Sequence, residues 1–237
     1  MATAQVKAIN AATRRKVLVV GRGGLVQWSE IFENNPRILR RYEGGCVRLT
    51  NGSGLRPYIE AKTPTHWKWK RWPIAPGEIF LSAEEKAFAA PHAGRILVEP
   101  HTKVDGSNKA WFFDRWQALV DGGGDFVQVG PAGTRVLRGV HFVETMNFRR
   151  ACAVLAVSRA FVGCEGGLHH AAAAFGVPAV VLFSEFISPD ITGYPGHRNL
   201  RHAGEACGSR LPCEGCRASM EAITVDEVRT NLEEIIK

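Results

Sequence analysis

The chain has 237 residues, of which 45% are hydrophobic and 22% are charged, a composition that allows a full hydrophobic core. It begins without a long apolar segment, and no stretch approaches the length of a membrane span, so we expect a cytoplasmic protein without a transmembrane helix. The formal net charge of +7 favours an anionic partner, such as a nucleotide, a nucleic acid or an acidic lipid.

The first predicted strand is Lys16–Val20, which is followed by a glycine loop and a predicted helix over Leu25–Phe32. This order is typical of a nucleotide-binding half-domain, although the loop Gly21–Gly24 lacks the spacing of the full dinucleotide fingerprint. Residues 34–76 have little helical periodicity and contain several Gly and Pro residues, which predicts short strands and loops.

Indoles and cations alternate along Thr65–Trp72 with a period of nearly two residues. One interpretation is a strand whose tryptophans face the core while Lys68 and Lys70 face water. The other is an exposed aromatic and basic strip that stacks on bases or meets a membrane interface. The first interpretation suits Trp67 and Trp69 better, and the surrounding charge supports contact with an anion.

A domain boundary is predicted near Ala90. Before it, Ser82 and Glu85 have the spacing of a capping box for a helix through Lys86–Ala90. After it, short apolar runs alternate with helical segments, which predicts a parallel α/β sheet. We therefore predict two domains, residues 1–90 and residues 91–237.

The segment Phe161–Phe183 has the pattern of a βαβ unit. A strand that reaches Gly163 leads through a glycine turn into a helix of small residues, and a second apolar strand follows. Because the free N–H groups at the start of this helix could bind a phosphate, Gly166 and Gly167 predict an anion site. The alternative is a tight turn that binds nothing.

Ligands bind in open α/β sheets at loops that follow the carboxyl ends of strands. The loop after the predicted strand Ile96–Glu99 contains Thr102, Lys103 and Lys109, which suit a diphosphate, although a solvated polar loop is equally consistent with them. Gly130 closes the next strand in the same layer. The polar segment Ser184–Asn199 is a candidate lid or binding loop.

Three of the six cysteines, Cys207, Cys213 and Cys216, are close in sequence. The last two have the spacing that lets two thiolates bind one zinc ion, with Cys207 as a third ligand and His197 or His202 as a fourth. Only one such pair is present, without the second pair of a zinc ribbon. We therefore expect reduced, packed cysteines and no cofactor, with zinc as the alternative.

Four segments carry a family resemblance in one order along the chain. They are GEIFLSAEE from Gly77, NKAW from Asn108 with Trp116 and Leu119 beyond it, EGGLHHAAA from Glu165, and the ending with Cys213, Cys216, Met220, Ile223 and Val228. Together they resemble the heptosyltransferase-type glycosyltransferases of family 9. The resemblance implies an α/β, GT-B-like fold with a carboxyl-terminal Rossmann-like parallel sheet domain and a small, truncated amino-terminal α/β domain.

The resemblance also implies an enzyme that transfers a sugar from a nucleotide diphosphate sugar, with inversion and without a required metal. It assigns the donor diphosphate to Lys109 and to the backbone of Gly166, Gly167 and Leu168, with Thr102 nearby. Charge develops on the leaving diphosphate, which fixed N–H dipoles and a lysine stabilise. Glu165 replaces the family's aspartate, where it would orient the turn or meet sugar hydroxyls, and His170 occupies the family's histidine position.

Two departures from the family affect the acceptor side. Gly24 stands where the family carries an aspartate general base, and Glu30 is the candidate replacement. Roughly ninety residues precede the second domain, which is small for an ordinary half-domain. We expect an anionic acceptor, either a lipopolysaccharide-type glycolipid at a membrane surface or a modified nucleic-acid base in DNA. The alternative is a nucleotide- or nucleic-acid-binding protein that retains the donor-binding fold with little or no catalysis.

Overall fold

The computed structural model describes residues 1–51, 56–102 and 107–237. The described residues form two parallel sheets and one antiparallel hairpin, with helices packed against them. This is the α/β architecture that the alternation of apolar runs and helical segments predicts. No helix in these ranges combines the length and the apolar content that a bilayer span requires.

The amino-terminal part contains a helix and a small parallel sheet, formed by α1 (Ala2–Thr13), β1 (Val17–Val20), β2 (Ile38–Leu39) and β3 (Val47–Thr50). The strand order is β2-β1-β3. The fully buried Val6 of α1 shares an apolar cluster with Val17 and Val19 of β1. The sequence did not predict α1, because few of its residues are both apolar and buried.

The helix predicted over Leu25–Phe32 is wrong. A short 3-10 helix occupies Glu30–Phe32, and Val26 forms an antiparallel bridge with Val20 instead. Backbone hydrogen bonds thus hold the chain after β1 in an extended conformation that runs antiparallel to β1. Leu25 is 75% exposed, so a helix here would have lacked an apolar face to bury.

A hairpin and a helix follow, formed by β4 (Ile59–Lys62), β5 (Trp67–Trp69) and α2 (Ala83–Ala89). The capping box predicted for α2 is confirmed. The Ser82 hydroxyl accepts the Glu85 N–H at 3.1 Å, and the Glu85 carboxylate accepts the Ser82 N–H at 2.7 Å. A 3-10 turn, Ala90–His92, then ends the helix.

The large sheet has six parallel strands: β6 (Ile96–Glu99), β7 (Phe126–Gly130), β8 (His141–Glu144), β9 (Ala160–Cys164), β10 (Ala179–Leu182) and β11 (Arg198–Leu200). The intervening helices are α3 (Phe113–Asp121), α4 (Phe148–Ala156), α5 (Gly167–Phe175), α6 (Pro189–Thr192), α7 (Glu214–Ala222) and α8 (Val225–Ile235). The order β8-β7-β6-β9-β10-β11 is that of a doubly wound nucleotide-binding sheet, which reverses between β6 and β9.

Helices cover both faces of this sheet. Ile96 and Val98 belong to one apolar cluster, together with Trp116 of α3 and Met220 of α7. Leu97, which points to the opposite face, belongs to a second cluster with residues of α4 and α5. Burial on both faces explains why these strands appear in the sequence as continuous apolar runs.

The edges of the large sheet differ from the prediction. Only Val143 of β8 is buried, so this edge strand has no apolar run that marks it in the sequence. The segment Ser184–Asn199 contains α6 and the start of β11, and its Ile187, Ile191 and Tyr194 are buried. This segment therefore packs into the core and is not a lid.

A buried ion pair joins α2 to α4. Arg149, which is 5% exposed, binds Glu85 through Nε–Oε1 and Nη2–Oε2 distances of 2.6 Å each. Arg149 also donates to the carbonyl oxygens of Phe80 at 2.7 Å and Glu30 at 3.1 Å. Helix α2 precedes residue 90 but packs on a helix of the large sheet, and the division at residue 90 stays a prediction.

Candidate functional site

Lys109 and Glu165 meet where the large sheet reverses its strand order. Glu99 of β6 is in register with Gly163 of β9, and ligand crevices form at such a reversal in open α/β sheets. Lys109 lies after β6, and Glu165 follows β9 directly. The Lys109 ammonium donates to Glu165 Oε2 at 2.8 Å and to the Glu165 carbonyl oxygen at 3.1 Å. A cation is thus fixed at the carboxyl edge of the sheet.

Helix α5 begins beside this ion pair without a side-chain cap, because its N-cap residue is Gly166. The N–H groups of its first turn have no partner within the helix and lie at the positive end of the helix dipole. Leu168 contributes one of these N–H groups, while its side chain is buried in the core. An anion could therefore bind to Lys109 and the first turn of α5 together.

The two glycines of this turn differ in what an added β-carbon would meet. A β-carbon on Gly167 would come within 3.0 Å of the Phe148 ring, so helix packing favours glycine at this position. Gly166 has φ of 179°, an extended backbone that any residue adopts, and a β-carbon would lie 3.6 Å from the Cys164 carbonyl oxygen in ordinary contact. Packing alone does not explain Gly166, whereas the close approach of a ligand would.

Glu165 is ionised although only 8% of it is exposed. Burial acts to raise its pKa, but the Lys109 ammonium, His170 and Arg56 outweigh burial and hold the pKa below its usual range. Burial acts to lower the pKa of Lys109, and the Glu165 carboxylate raises it above its ordinary value. Both groups are therefore charged at neutral pH, and a bound anion would compete with Glu165 for the ammonium.

Two adjacent histidines of α5 are neutral at physiological pH. Burial lowers the pKa of His170 to about 4, against the opposing effect of Glu165. His170 Nδ1 lies 3.0 Å from the Tyr194 hydroxyl, and its Nε2 lies 3.7 Å from Glu165. His169 is fully buried and stacked on His170, and burial holds its pKa well below the usual value. Neither ring nitrogen of His169 has a hydrogen-bond partner within the described part of the chain.

Glu165, His169 and His170 each place one ligand atom within 4.8 Å of the others, a spacing that a metal ion could use. The carboxylate, however, is already paired with the Lys109 ammonium at 2.8 Å. A metal ion here would have to share that carboxylate with a second cation. We therefore interpret the group as an anion site whose positive charge comes from a lysine.

Arg56 and Tyr58 belong to this site, and no sequence motif marks either residue. Arg56 Nη1 donates to the Tyr58 hydroxyl at 3.2 Å. The Arg56 charge lowers the pKa of both Glu165 and His170. Tyr194, the partner of His170, was missed for the same reason. These residues come from segments distant in sequence, and only the folded chain brings them together.

Glu99, at the carboxyl end of β6, is another ionisable residue that the sequence did not indicate. Burial raises its pKa to about 8, against the opposing effect of Lys109. Glu99 therefore holds a proton at neutral pH. A protonated carboxyl can donate a hydrogen bond to a ligand in the crevice.

The other predicted donor residues lie along the same sheet edge where the structure describes them. The Ser107 hydroxyl donates to Thr102 Oγ1 at 2.9 Å, in the segment that leads to Lys109. Gly130 ends β7, where a β-carbon would clash with Thr134. Lys103 lies outside the described residues.

Glu30, the candidate replacement for the general base, lies on the exposed 3-10 turn after β1. Its carbonyl oxygen accepts a hydrogen bond from Arg149. The structure does not bring Glu30 into the cluster around Lys109. Its role as a base stays a prediction.

The hairpin β4–β5 lines a cleft of about 900 Å³, which we call the hairpin cleft. Trp67 and Trp69 are half-buried, with ring centroids 5.3 Å apart. The interpretation of Thr65–Trp72 as a strand with inward tryptophans therefore holds for these two residues. The cleft is also lined by the cationic side chains of Lys68, Arg71 and Arg201.

Phe186 connects the hairpin cleft to the ion pair. Its carbonyl oxygen accepts the indole N–H of Trp69 at 2.8 Å, and the two rings lie edge to face with centroids 5.3 Å apart. The Lys109 ammonium lies 5.9 Å from the centroid of the same phenyl ring. The cleft and the crevice at the sheet edge are therefore neighbours.

Comparisons with known proteins show a similarity of fold to solved structures, but no match to a family model or to a curated protein. Among solved structures, ADP-heptose LPS heptosyltransferase II of E. coli matches with a TM-score of 0.53 and 20% identity, over 69% of this chain and 54% of that one. A glycosyltransferase of family 9 from Veillonella parvula DSM 2008 matches with a TM-score of 0.51 and 14% identity, over 68% and 54%.

The fold is similar to that of these two solved structures. Both are glycosyltransferases by name, and the α/β, GT-B-like fold predicted from the sequence is confirmed. The chain spans about half the length of the two solved structures that it matches. The similarity to heptosyltransferases inferred from the four segments thus holds at the level of the fold.

Proposed function

We propose that this protein transfers a sugar from a nucleotide diphosphate sugar, and that the donor diphosphate binds to Lys109 and the first turn of α5. The observation that carries this proposal is the meeting of a half-buried ammonium with uncapped helix N–H groups at the point where the sheet reverses. Both groups suit an anion, and this edge is where nucleotides bind in such sheets. Thr102, Lys103 and Gly130 are proposed to line the same donor site.

The proposed reaction is a direct displacement with inversion. An acceptor oxygen or nitrogen attacks the anomeric carbon from the face opposite the diphosphate, and the bond from that carbon to the phosphate oxygen breaks. The electron pair leaves with the diphosphate, whose growing charge Lys109 and the α5 dipoles stabilise. The acceptor proton passes to a base, for which Glu30 is the candidate. In this scheme Lys109 supplies the charge that a metal ion supplies elsewhere, so no metal is required.

The acceptor is proposed to be anionic and to bind in the hairpin cleft. Lys68, Arg71 and Arg201 line the cleft, and the overall charge of +7 has the same sign. Buried Nε and Nη2 of Arg201 have no hydrogen-bond partner among the described residues, which supports an incoming phosphate or carboxylate. A lipopolysaccharide-type glycan and a nucleic acid that contains a modified base both carry phosphate.

A binding protein without turnover is the second candidate. It is supported by Gly24, which stands in an exposed turn with φ of 75° where the similar family carries its general base. Release of free nucleoside diphosphate from the donor, with or without acceptor, would support the enzyme. Tight donor binding with no release over hours would support the binding protein.

The test of the donor site uses Glu165 as well as Lys109. A Lys109→Ala variant leaves a buried carboxylate unpaired, at a cost of about 3–5 kcal/mol in stability. We therefore compare Glu165→Gln with Lys109→Gln/Glu165→Gln, which keeps two neutral hydrogen-bonding groups. The first variant frees the ammonium and should bind nucleoside diphosphates more tightly than the wild type. The second should bind more weakly than the first by about 1.5–3 kcal/mol, because a charged hydrogen bond is lost.

Titration calorimetry against a panel of nucleoside diphosphates and nucleotide sugars measures both effects. The panel includes ADP-heptose, since the E. coli enzyme with the same fold is named for it. If the two variants bind every diphosphate equally well, the donor binds elsewhere and the proposed site is wrong.

A further inference from the structure

Three cysteines and one carboxylate converge on the side of the large sheet that bears β10 and β11. Glu185 follows β10, Cys207 follows β11, Cys213 is the N-cap of α7, and Cys216 lies in its first turn. Cys207 Sγ lies 3.4 Å from Cys216 Sγ and 3.8 Å from Cys213 Sγ. The ligand atoms of all four residues lie within 4.8 Å of one another.

We propose that Glu185, Cys207, Cys213 and Cys216 form a tetrahedral zinc site, distinct from the donor site. Zinc–sulfur bonds of about 2.3 Å place two sulfurs of a tetrahedron about 3.8 Å apart. The observed sulfur separations of 3.4 and 3.8 Å are close to this value and far longer than a disulfide bond. Three thiolates and a carboxylate are a ligand set that zinc accepts.

The Glu185 carboxylate is a possible ligand that the sequence did not indicate. No hydrogen bond or ion pair among residues 1–51, 56–102 and 107–237 involves its oxygens, yet it points at three thiols. A β-carbon on Gly215 would overlap Glu185 Oε2, so glycine between the two cysteines of α7 makes room for the carboxylate. A carboxylate in that position without a cation would repel thiolates, whereas a divalent ion accounts for all four groups.

The two histidines suggested as the fourth ligand are engaged elsewhere. His202 Nε2 lies 2.9 Å from Glu227, and the His197 ring packs between His169 and Tyr194 with centroids 5.5 Å from each. The fourth ligand is instead a residue 22 positions before Cys207 in the sequence. No ligand-spacing motif relates Glu185 to the cysteines.

The backbone around the cluster already has the form of a site. The Cys207 N–H donates to the Glu185 carbonyl oxygen at 2.8 Å, which holds these two ligands side by side. The Ser209 N–H donates to Cys207 Sγ at 3.4 Å, as backbone amides do toward metal-bound thiolates. Cys213 is the N-cap of α7 and Cys216 lies in its first turn, where the helix N–H groups have no partner within the helix.

The proposed ion would hold the segment 207–211 in place. The Gly208 carbonyl oxygen accepts the Trp67 N–H at 2.9 Å, and Asn108 Nδ2 donates to the carbonyl oxygens of Ser209 at 2.8 Å and Leu211 at 2.7 Å. This segment therefore supports both the hairpin and the residue next to Lys109. The role of the metal is structural.

The experiment is metal analysis of the full chain, purified without a histidine tag, by inductively coupled plasma mass spectrometry. We expect one zinc per chain, retained by a Cys46→Ser control and lost by Cys213→Ser/Cys216→Ser. Because the double variant could fail to fold, Glu185→Gln is the second variant. Titration of the apoprotein with Co²⁺ should give sulfur-to-cobalt charge-transfer bands, and Glu185→Gln should weaken Co²⁺ binding by about tenfold or more.

Three outcomes overturn the proposal. The first is folded protein that contains no stoichiometric metal. The second is a Cys207–Cys216 disulfide in the protein as isolated. The third is stoichiometric iron with no zinc. Since none of these readouts involves nucleotide binding or sugar transfer, failure here is distinguishable from failure of the proposed function.

Discussion

Glu99 makes folding stability depend on pH in a predictable direction. The folded protein releases this proton at about pH 8, whereas the unfolded chain releases it near the ordinary value of 4.5. Stability contributed by the protonated carboxyl is therefore complete below pH 4.5 and is lost as the pH rises to about 8. Each pKa unit corresponds to about 1.4 kcal/mol, so even part of this shift is measurable.

A Glu99→Gln variant should consequently melt at a higher temperature than the wild type above pH 8 and at nearly the same temperature below pH 5. Differential scanning fluorimetry across this range measures the difference. Glu144→Gln, at the exposed end of β8, is the control and should show no such trend. A Glu99→Gln advantage that is constant with pH would mean that Glu99 is ionised in the folded protein.

Substitutions at the two glycines before α5 distinguish an effect on packing from an effect on ligand binding. Gly166→Ala should fold with an unchanged melting temperature, since its β-carbon has room, but should bind diphosphate more weakly. Gly167→Ala should lose roughly 1–3 kcal/mol of stability, because its β-carbon crowds Phe148. Melting curves and nucleotide titrations of both variants check this. Normal nucleotide binding by Gly166→Ala would reduce the pair to turn residues.

Some residues of the proposed sites could be predicted from the sequence, and others could not. The motif around Glu165 and the lysine at position 109 indicated the proposed donor site, because both follow apolar runs that end at the same sheet edge. Arg56, Glu99 and Glu185 gave no signal, since their roles depend on which loops the fold brings together.

At the scale of the helices and strands, two ion pairs between α2 and α4 can be compared, one buried and one exposed. Arg149 is buried and binds Glu85, whereas the neighbouring Arg150 pairs with Glu84, whose side chain is 85% exposed. Glu85→Ala should cost about 3–5 kcal/mol, because it leaves a buried guanidinium unpaired. Glu84→Ala should cost less than about 1 kcal/mol. Urea denaturation of both variants measures the two costs, and equal losses would show that the Arg149 pair is not buried in solution.

Elements with apolar residues on both faces were predicted well. The edge strand β8, the helix α1 and the segment after β1 were not. β6, β7, β9 and β10 are continuous apolar runs, and the cap of α2 is formed by the residues that the spacing indicated. β8 is an edge strand with one buried residue, and α1 has a narrow apolar face, so neither has a strong period. The segment after β1 was predicted as a helix because its residues permit one, whereas backbone pairing with β1 decides its form.

At the scale of the whole molecule, the positive charge of the hairpin is expected to serve the proposed acceptor and not the proposed donor. Lys68 and Arg71 pair with the exposed carboxylates of Glu60 and Asp190, so their removal should cost little stability. A Lys68→Ala/Lys70→Ala/Arg71→Ala variant should keep its affinity for nucleoside diphosphates. Its binding to DNA or to anionic vesicles should weaken and become less dependent on salt.

Salt titrations of both proteins give the slope of log K against log salt. For duplex DNA, the magnitude of this slope should fall by about 0.9 for each phosphate that the variant no longer neutralises. A preference for DNA or for vesicles identifies the class of acceptor. An unchanged slope in the triple variant would assign the hairpin a structural role only.

Phe186 has a consequence for the order of binding in the proposed reaction. Its ring lies near Lys109 and its carbonyl oxygen accepts the indole N–H of Trp69, so we expect a ligand that moves one of these side chains to affect the other. Linkage requires that if acceptor raises donor affinity by some factor, donor raises acceptor affinity by the same factor. Such coupling requires donor and acceptor to be bound together, as in the proposed direct displacement, and not one after the other as in a covalent sugar–enzyme relay. Initial rates measured at several fixed acceptor concentrations should then give double-reciprocal lines that intersect, where a relay would give parallel ones.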